Sequence, residues 1–499
     1  MNKKKGLIIG GIAAAVLVAV ILLLVFLPKG NGDQNSATID EGIALSRSVD
    51  SNGLHQAQVQ TDKDGNIANN SYGTLMEYYP ADIQTIHIEN NKGTLDVVSE
   101  TPAGQATVYT VKGYEDAALQ AGVPDQIASA AASLSFTKVA TLDKSKAAEF
   151  GFDKPRSTVT VTYSDKTKAV ITVGSDAPKQ AGTYIQFGTG DAVYVADTAT
   201  VSVFDFGLTD LISLTINSAA DSTDNNQAAK INIAGSGFAD AITLVPNEDD
   251  NYAASYRMTA PAERLANEAE SSLVAGGIRG LYADAVKLVN PSEAQLGEAG
   301  LSNPYAVLTA EYPDETIKLL ASKPDADGKI NLMVSGGSVV YTLAASKAAW
   351  SQTSFDKLCG EYVCNPKMTA LSEMAVTANG KTTTFALDTR TSVTTDNAGN
   401  ETSAEVTTVT GGGKDIEIGA FTAFYNDVAL IGLADAKTGS GSGSAALTVT
   451  YTFSDGSSDK VEFIADGDGY LAKLNGAIMG HSSKGDITRA VKSMTEVVK

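Results

Sequence analysis

The chain has 499 residues, 43% of them apolar, enough to bury one or more sizeable cores and too apolar for a disordered chain. Its 58 Asp and Glu outweigh 37 Lys and Arg, giving a formal net charge of −21, a field that repels phosphate backbones and argues against a nucleic-acid partner. Three His (His55, His87, His481) and two Cys (Cys359, Cys364) leave little material for zinc sites, Cys-His nucleophiles or histidine acid-base chemistry.

Residues 1–5 carry Lys3, Lys4 and Lys5 and precede an uncharged, almost wholly apolar run from Gly6 to Leu27. As a helix this run spans about 33 Å, enough to cross a bilayer core. It is longer than the apolar region of a secretory signal and ends in Phe26-Leu27-Pro28 without a small-residue cleavage site. The expectation is an uncleaved anchor at 6–27. Basic residues before it and acids from Asp33 onward place the N-terminus in the cytoplasm and the bulk of the chain outside the cell membrane. Residues 28–75 then form a tether and lead-in, rich in Gly, Asn, Ser and Asp as far as Gly53.

Beyond the tether one pattern recurs three times. Each copy opens with a short alternating strand, at Ile83–Ile88, Lys230–Ile233 and Met374–Thr377. An amphipathic helix follows, with its stripe on Ile127, Ala130, Ala131 and Leu134 in the first copy and on Phe421, Phe424, Tyr425 and Val428 in the third. In the second copy Leu265, Ala269 and Leu273 follow Pro261, a residue suited to a helix start. A turn marks each copy next: Gly151-Phe152-Asp153-Lys154-Pro155, Gly300-Leu301-Ser302-Asn303-Pro304, and Gly432-Leu433-Ala434-Asp435 without the proline.

Hairpins come after the turn, pairing Thr158–Tyr163 with Ala169–Val173, Val307–Tyr312 with Thr316–Leu320, and Leu447–Phe453 with Lys460–Ile464. Further strands are predicted at Tyr184–Phe187, Val193–Ala196, Ile330–Val334, Val339–Leu343 and Tyr470–Leu474, and closing helices at Ala345–Leu358 and Ile487–Val498. The fold class is α+β: an N-terminal transmembrane helix followed by three related units of mixed antiparallel sheet and helices, at 76–220, 228–366 and 369–499, the third divergent.

This order, with the opening strand Ile83-Gln84-Thr85-Ile86-His87-Ile88, the stretch Phe150 to Pro155, Thr158-Val159-Thr160-Val161, Ile171-Thr172-Val173-Gly174 and Val193-Tyr194-Val195, resembles the bacterial family called domain of unknown function 4340. The resemblance is specific over 80–215, fair over 230–365 and weak over 370–499. Where the family often has a tryptophan in its early strand region, Val108-Tyr109 stands here. The resemblance implies a membrane-anchored extracytoplasmic protein, of the kind often encoded beside ABC-type transport components related to gliding-motility systems. It implies no catalytic residues.

Several motifs invite chemistry. Ser354-Phe355-Asp356-Lys357 and Lys437-Thr438-Gly439 echo penicillin-interacting serine enzymes. The middle element here is Thr395-Asp396-Asn397, and Lys437-Thr438-Gly439 runs into Ser440 to Ser444, a loop where that motif needs a rigid strand. Acid clusters at Asp62 to Asn66, Asp325 to Gly328 and Asp466 to Gly469 lack the spacing and terminal Glu of a calcium loop and read as hairpin turns. Cys359 and Cys364, five apart, form the candidate disulfide, favoured by an oxidising compartment. His55 is expected in the tether, His87 on a strand and His481 in a turn before the last helix, none at metal-ligand spacing. No catalytic, cofactor-binding or metal residues are assigned.

The functional expectation is therefore a non-enzymatic, membrane-anchored extracytoplasmic scaffold or accessory binding protein. Its expected partners are the membrane, through the N-terminal helix, and an ABC-type transporter or another envelope protein. The alternative is a module that binds an extracellular solute or cell-wall polymer, which would show one apolar cleft with convergent polar groups. A cell-wall hydrolase using paired carboxylates is the least favoured reading.

Overall fold

The computed structural model describes residues 47–49, 55–57, 63–64, 73–219, 227–395, 401–437 and 443–499. The expected anchor at 6–27 lies outside the described residues. Among the described residues, no helix is long and apolar enough to cross a membrane.

Strands β1 (Arg47–Val49) and β2 (His55–Ala57) pair antiparallel, and β3 (Gly73–Glu77) follows. The first large sheet takes β4 (Ile83–Asn90), β5 (Gly93–Glu100) and β6 (Val108–Val111) before the helix Val123–Ala132. After the helix, β7 (Ser133–Phe136) pairs with β3, and β8 (Lys138–Thr141), β9 (Ser157–Tyr163), β10 (Lys168–Asp176), β11 (Thr183–Phe187) and β12 (Val193–Ala196) complete the set. The order across the sheet is β6-β5-β4-β9-β10-β11-β12-β8.

The second sheet holds β13 (Lys230–Ala234), β14 (Ile242–Pro246), β15 (Tyr256–Ala260) and β16 (Arg264–Leu265), then, beyond the helix Glu268–Gly276, β17 (Ala285–Val289), β18 (Ala306–Glu311), β19 (Thr316–Ala321), β20 (Lys329–Val334) and β21 (Val339–Ala344). Its order is β16-β15-β14-β13-β18-β19-β20-β21-β17. The third sheet repeats this with β22 (Leu371–Ala378), β23 (Lys381–Thr395), β24 (Glu401–Gly411) and β25 (Lys414–Ile416), the helix Ile418–Ala429, and β26 (Asp435–Ala436), β27 (Ala445–Phe453), β28 (Ser458–Asp466), β29 (Gly469–Leu474) and β30 (Ala477–Ser482). Its order is β25-β24-β23-β22-β27-β28-β29-β30-β26.

One plan thus occurs three times. The opening strand pairs antiparallel with the first strand after the marker turn, β4 with β9, β13 with β18 and β22 with β27. A strand between the helix and the following hairpin closes the far edge, β8 next to β12, β17 next to β21 and β26 next to β30. Alternation explains the strands: Val159, Val161 and Tyr163 are buried on one face of β9, while the Thr residues between them are half-buried. Gly151 and Gly300 have φ of +85° and +74°, the left-handed region glycine enters at no steric cost. A Cβ on Gly151 would lie 2.8 Å from the Ser175 nitrogen.

The described residues form two compact units, one from those up to 115 and from 125–205, the other from 116–124 and from those beyond 205. The second unit contains both the second and third sheets, each with its own core: one around Trp350 and Leu319, the other around Phe421 and Tyr451.

The structure corrects several expectations. The patterns predict a helix directly after each opening strand, yet two or three strands intervene. Leu134 leaves the helical stripe and joins β7, although it is fully buried. In the second copy Leu265 belongs to β16, and the helix starts only after Asn267, whose side chain accepts from the Glu270 backbone N–H as a cap. Pro261 precedes β16, so it does not start the helix. Leu273 is 60% exposed, and the helix buries Ser271 and Val274 instead. The predicted helix at 345–358 is a 3₁₀ segment, Ala345–Ser351, and a separate short turn, Phe355–Leu358. Ala348 has non-helical angles there, and Trp350 is fully buried with its Nε1 donating to the Gly277 carbonyl at 2.9 Å.

Candidate functional site

Ser354 is a helix cap: its Oγ accepts from the Lys357 backbone N–H at 3.3 Å. The Lys357 ammonium donates to the Gln352 carbonyl at 2.7 Å. Asp325 forms a turn, its carboxylate accepting from the Asp327 and Lys329 backbone N–H groups. Of the Asp62 to Asn66 cluster only Lys63 and Asp64 are described, and Asp396, Asn397, Thr438 and Gly439 lie outside the described residues. Among the described residues no cluster of His, Cys, Asp and Glu is arranged to hold a metal ion.

His87 sits on β4 with Nδ1 2.5 Å from Asp96 and Nε2 3.1 Å from Glu89. Hydrogen bonds to Asp96 and then Glu89 raise its pKa above the ordinary histidine value. His481 lies on β30 rather than in a turn, with Nδ1 2.9 Å from Asp435 and Nε2 2.9 Å from Asp466. Asp435 and then Asp466 raise its pKa in the same way. Both histidines are surface clamps between two carboxylates.

Cys359 and Cys364 are free thiols, each 5% exposed. The expected bridge is not formed in this structure, because the two belong to different cores and have different partners. Cys359 packs in the second core and accepts from Arg264 Nη1 at 3.3 Å. Cys364 packs in the third core, 3.3 Å from the Tyr252 hydroxyl. Burial pushes the Cys364 thiol up to about 12. Burial also raises Cys359, against the opposing pull of Arg264.

These contacts lead to a seam between the second and third sheets. Its centre is Arg264, whose place follows from register: on the two-residue strand β16 it stands opposite Met258, which is fully buried. Directly opposed residues share a face, so Arg264 is carried inward and is only 5% exposed. Its Nη1 donates to the Met479 carbonyl at 3.1 Å and its Nη2 to the Lys437 carbonyl at 2.8 Å, both on the third repeat. The guanidinium also lies over the Phe355 ring, 4.9 Å from its centroid.

Tyr252 ties the seam at a second point. It is buried in the third core, 5.9 Å from the Phe453 ring, and its hydroxyl donates to Asp459. Backbone bonds run alongside, from Leu433 N–H to the Glu361 carbonyl at 2.8 Å and from Lys367 N–H to the Asn251 carbonyl at 2.8 Å.

Two cavities open on this seam, of about 320 Å³ and 310 Å³. They share Arg264, Leu265, Leu474 and Met479 as walls. Tyr252, Asn267 and Tyr362 add polar groups to the larger one, and Val363 and Leu433 add apolar surface. Arg264 and Tyr252 carried no recognisable signal in the sequence. A lone Arg between Glu263 and Leu265, in a strand too short to show alternation, is placed by pairing and by a seam partner more than 170 residues away.

Residues 110–304 match the family described as domain of unknown function (DUF4340), so the resemblance read from the strand and turn motifs holds over that stretch. The match covers the first helix and both proline-containing marker turns, and it ends at the Pro304 turn before β18. No curated protein matches the chain.

Proposed function

We propose that the chain is a membrane-anchored extracytoplasmic binding protein. In this reading the apolar run at 6–27 holds it in the membrane, three related α+β units stand outside, and the seam around Arg264 takes a small ligand in the service of an ABC-type transporter or another envelope protein. The observation that carries the binding reading is the cleft itself: a mostly apolar cavity with a few convergent polar groups, at the small end of the roughly 300–1,000 Å³ usual for ligand pockets. Its walls come from non-equivalent parts of two copies of the plan, the β16 edge of one and the β29–β30 edge of the other. A site of this kind arises from the meeting of units and not from the repeated unit alone.

A thermal-shift screen of the full-length protein in detergent against a library of small polar metabolites tests this reading. Leu433→Trp places a large side chain in the cavity wall. Compounds that stabilise the wild-type protein are expected to lose their effect in this variant. A screen without stabilising compounds, or one whose hits ignore Leu433→Trp, would count against the cleft.

The scaffold reading keeps one specific observation. Among the described residues, β23 beyond Ala386 pairs only with β24, and β24 meets β25 only from Val409 onward. Val393 and Val406 on this hairpin are half exposed, a surface suited to strand addition by a protein partner.

A further inference from the structure

Arg264 is a buried cation. Among the described residues its guanidinium meets two carbonyls and a thiol but no carboxylate. A buried charge is costly unless an opposite charge or a full set of hydrogen bonds compensates it. The Cys359 thiol does not supply that charge, since burial keeps it protonated. Of the five guanidinium hydrogens, two on Nη1 and one on Nη2 are engaged. Nε is buried and unpartnered. The uncommitted hydrogens thus belong to Nε and Nη2, neighbours along one edge of the guanidinium, an edge that can bind a carboxylate through two parallel hydrogen bonds.

The cavity reinforces this. Arg264 lines it together with Glu268 and Ala269, the first turn of the nine-residue helix Glu268–Gly276, whose N-terminal end favours negative charge. The Glu268 carboxylate is engaged elsewhere, accepting from the Ser255 N–H and hydroxyl and from the Ser272 hydroxyl. Glu361, exposed at the cavity wall, is the one lining acid not engaged in this way, and it opposes an incoming anion. Tyr252, Asn267, Tyr362 and Asn365 add neutral polar groups, and Leu265, Val363, Leu433, Leu474 and Met479 supply apolar surface.

We propose that the cleft takes a small carboxylate with an apolar body, the carboxylate accepting from Nε and Nη2 of Arg264 while the body packs on the leucine and methionine walls. This rests on the cleft being a ligand site. The cavity volume, near 320 Å³, limits the occupant to a small molecule or to the terminal residue of a longer one.

Isothermal titration of the full-length protein with benzoate and with its neutral isostere benzamide provides the test. Benzoate is expected to bind saturably and benzamide about tenfold more weakly, the loss of roughly one charge-assisted hydrogen bond. Arg264→Gln should abolish the preference. Because that change also removes seam hydrogen bonds, Glu361→Gln provides an independent reading: it leaves the seam contacts intact and should tighten benzoate about threefold, the scale of a partly exposed like-charge pair. Equal binding of the two probes would overturn the carboxylate assignment while leaving the cleft a ligand site. Failure of benzoate to bind, or weaker benzoate binding in Glu361→Gln, would overturn it as well. The library screen judges the cleft itself separately.

Discussion

The first sheet and the joined second and third sheets follow one strand order, yet they treat buried polar groups differently. In the first unit Ser99 Oγ donates to the Ile83 carbonyl at 2.6 Å, on the neighbouring strand, and the Tyr163 hydroxyl to the Ala131 carbonyl at 2.6 Å, at the end of the packed helix, while Ser157 Oγ and Gln186 Nε2 are buried without a partner among the described residues. In the second unit Arg264 and Tyr252 reach partners on another sheet, more than 170 residues away. A repeated architecture buries its apolar face in every copy. Where the second and third copies meet, it also buries the Arg264 guanidinium, places the two thiols nearby and leaves a cavity.

Deleting the largest buried ring of the second unit should break the comparison most strongly. Trp350→Ala removes a fully buried side chain and leaves the Gly277 carbonyl without its donor, at a cost of about 3–5 kcal/mol. Denaturant unfolding followed by tyrosine fluorescence and circular dichroism should then show the second unit melting early while the first keeps its midpoint. Equal destabilisation of both units would mean that they do not unfold separately.

Tyr163→Phe is the matching change in the first unit. It removes the hydroxyl that donates to Ala131 and leaves that carbonyl buried and unpaired, while the ring stays stacked on Tyr78 at 3.8 Å. The expected loss is about 1–3 kcal/mol, confined to the first unit and read from the same unfolding curves. A shift in the second unit's transition would contradict the local satisfaction described for the first.

A smaller effect separates the units by pH. His87 lies in the first unit and His481 in the second, and both have pKa values raised above the ordinary 6.5 by paired carboxylates. A raised folded-state pKa means that the native protein binds the proton more tightly than the unfolded chain. The stabilisation is therefore complete below about 6.5 and fades as pH rises through the raised values. His87→Asn should flatten the decline in stability above pH 6.5 for the first unit, and His481→Asn for the second. A profile unchanged by either substitution would show that the clamps are solvent-screened contacts without linkage to folding.

Much of the frame was legible in the sequence. The Val/Ile/Thr alternation of β9, β10, β18 and β19 gave these hairpins, and the glycine turns at Gly151 and Gly300 marked each copy. The β5–β6 and β14–β15 strands escaped: β5, β14 and β15 alternate, but each of the four buries only one or two apolar side chains, a weak hydrophobic signal. The β23–β24 hairpin escaped for another reason: its long projecting part faces solvent, so burial imposes no alternation there. Leu134 and Leu265 continued a helical spacing by accident of composition while the chain had already turned into a strand. The seam was illegible because Arg264 gains its meaning from Met258 opposite and from carbonyls at Lys437 and Met479. None of these is its neighbour in sequence.

Hydrogen exchange of the full-length protein in sub-denaturing guanidinium tests the central claim most directly, since it reports which strands open together. The account predicts that β13–β15 and β18–β21 lose protection in one cooperative step with β22 and β27–β30, at a free energy different from that of β4, β5 and β9–β12. Exchange of the third sheet in a step of its own, with the second still protected, would contradict a shared seam and remove the structural basis of the cleft.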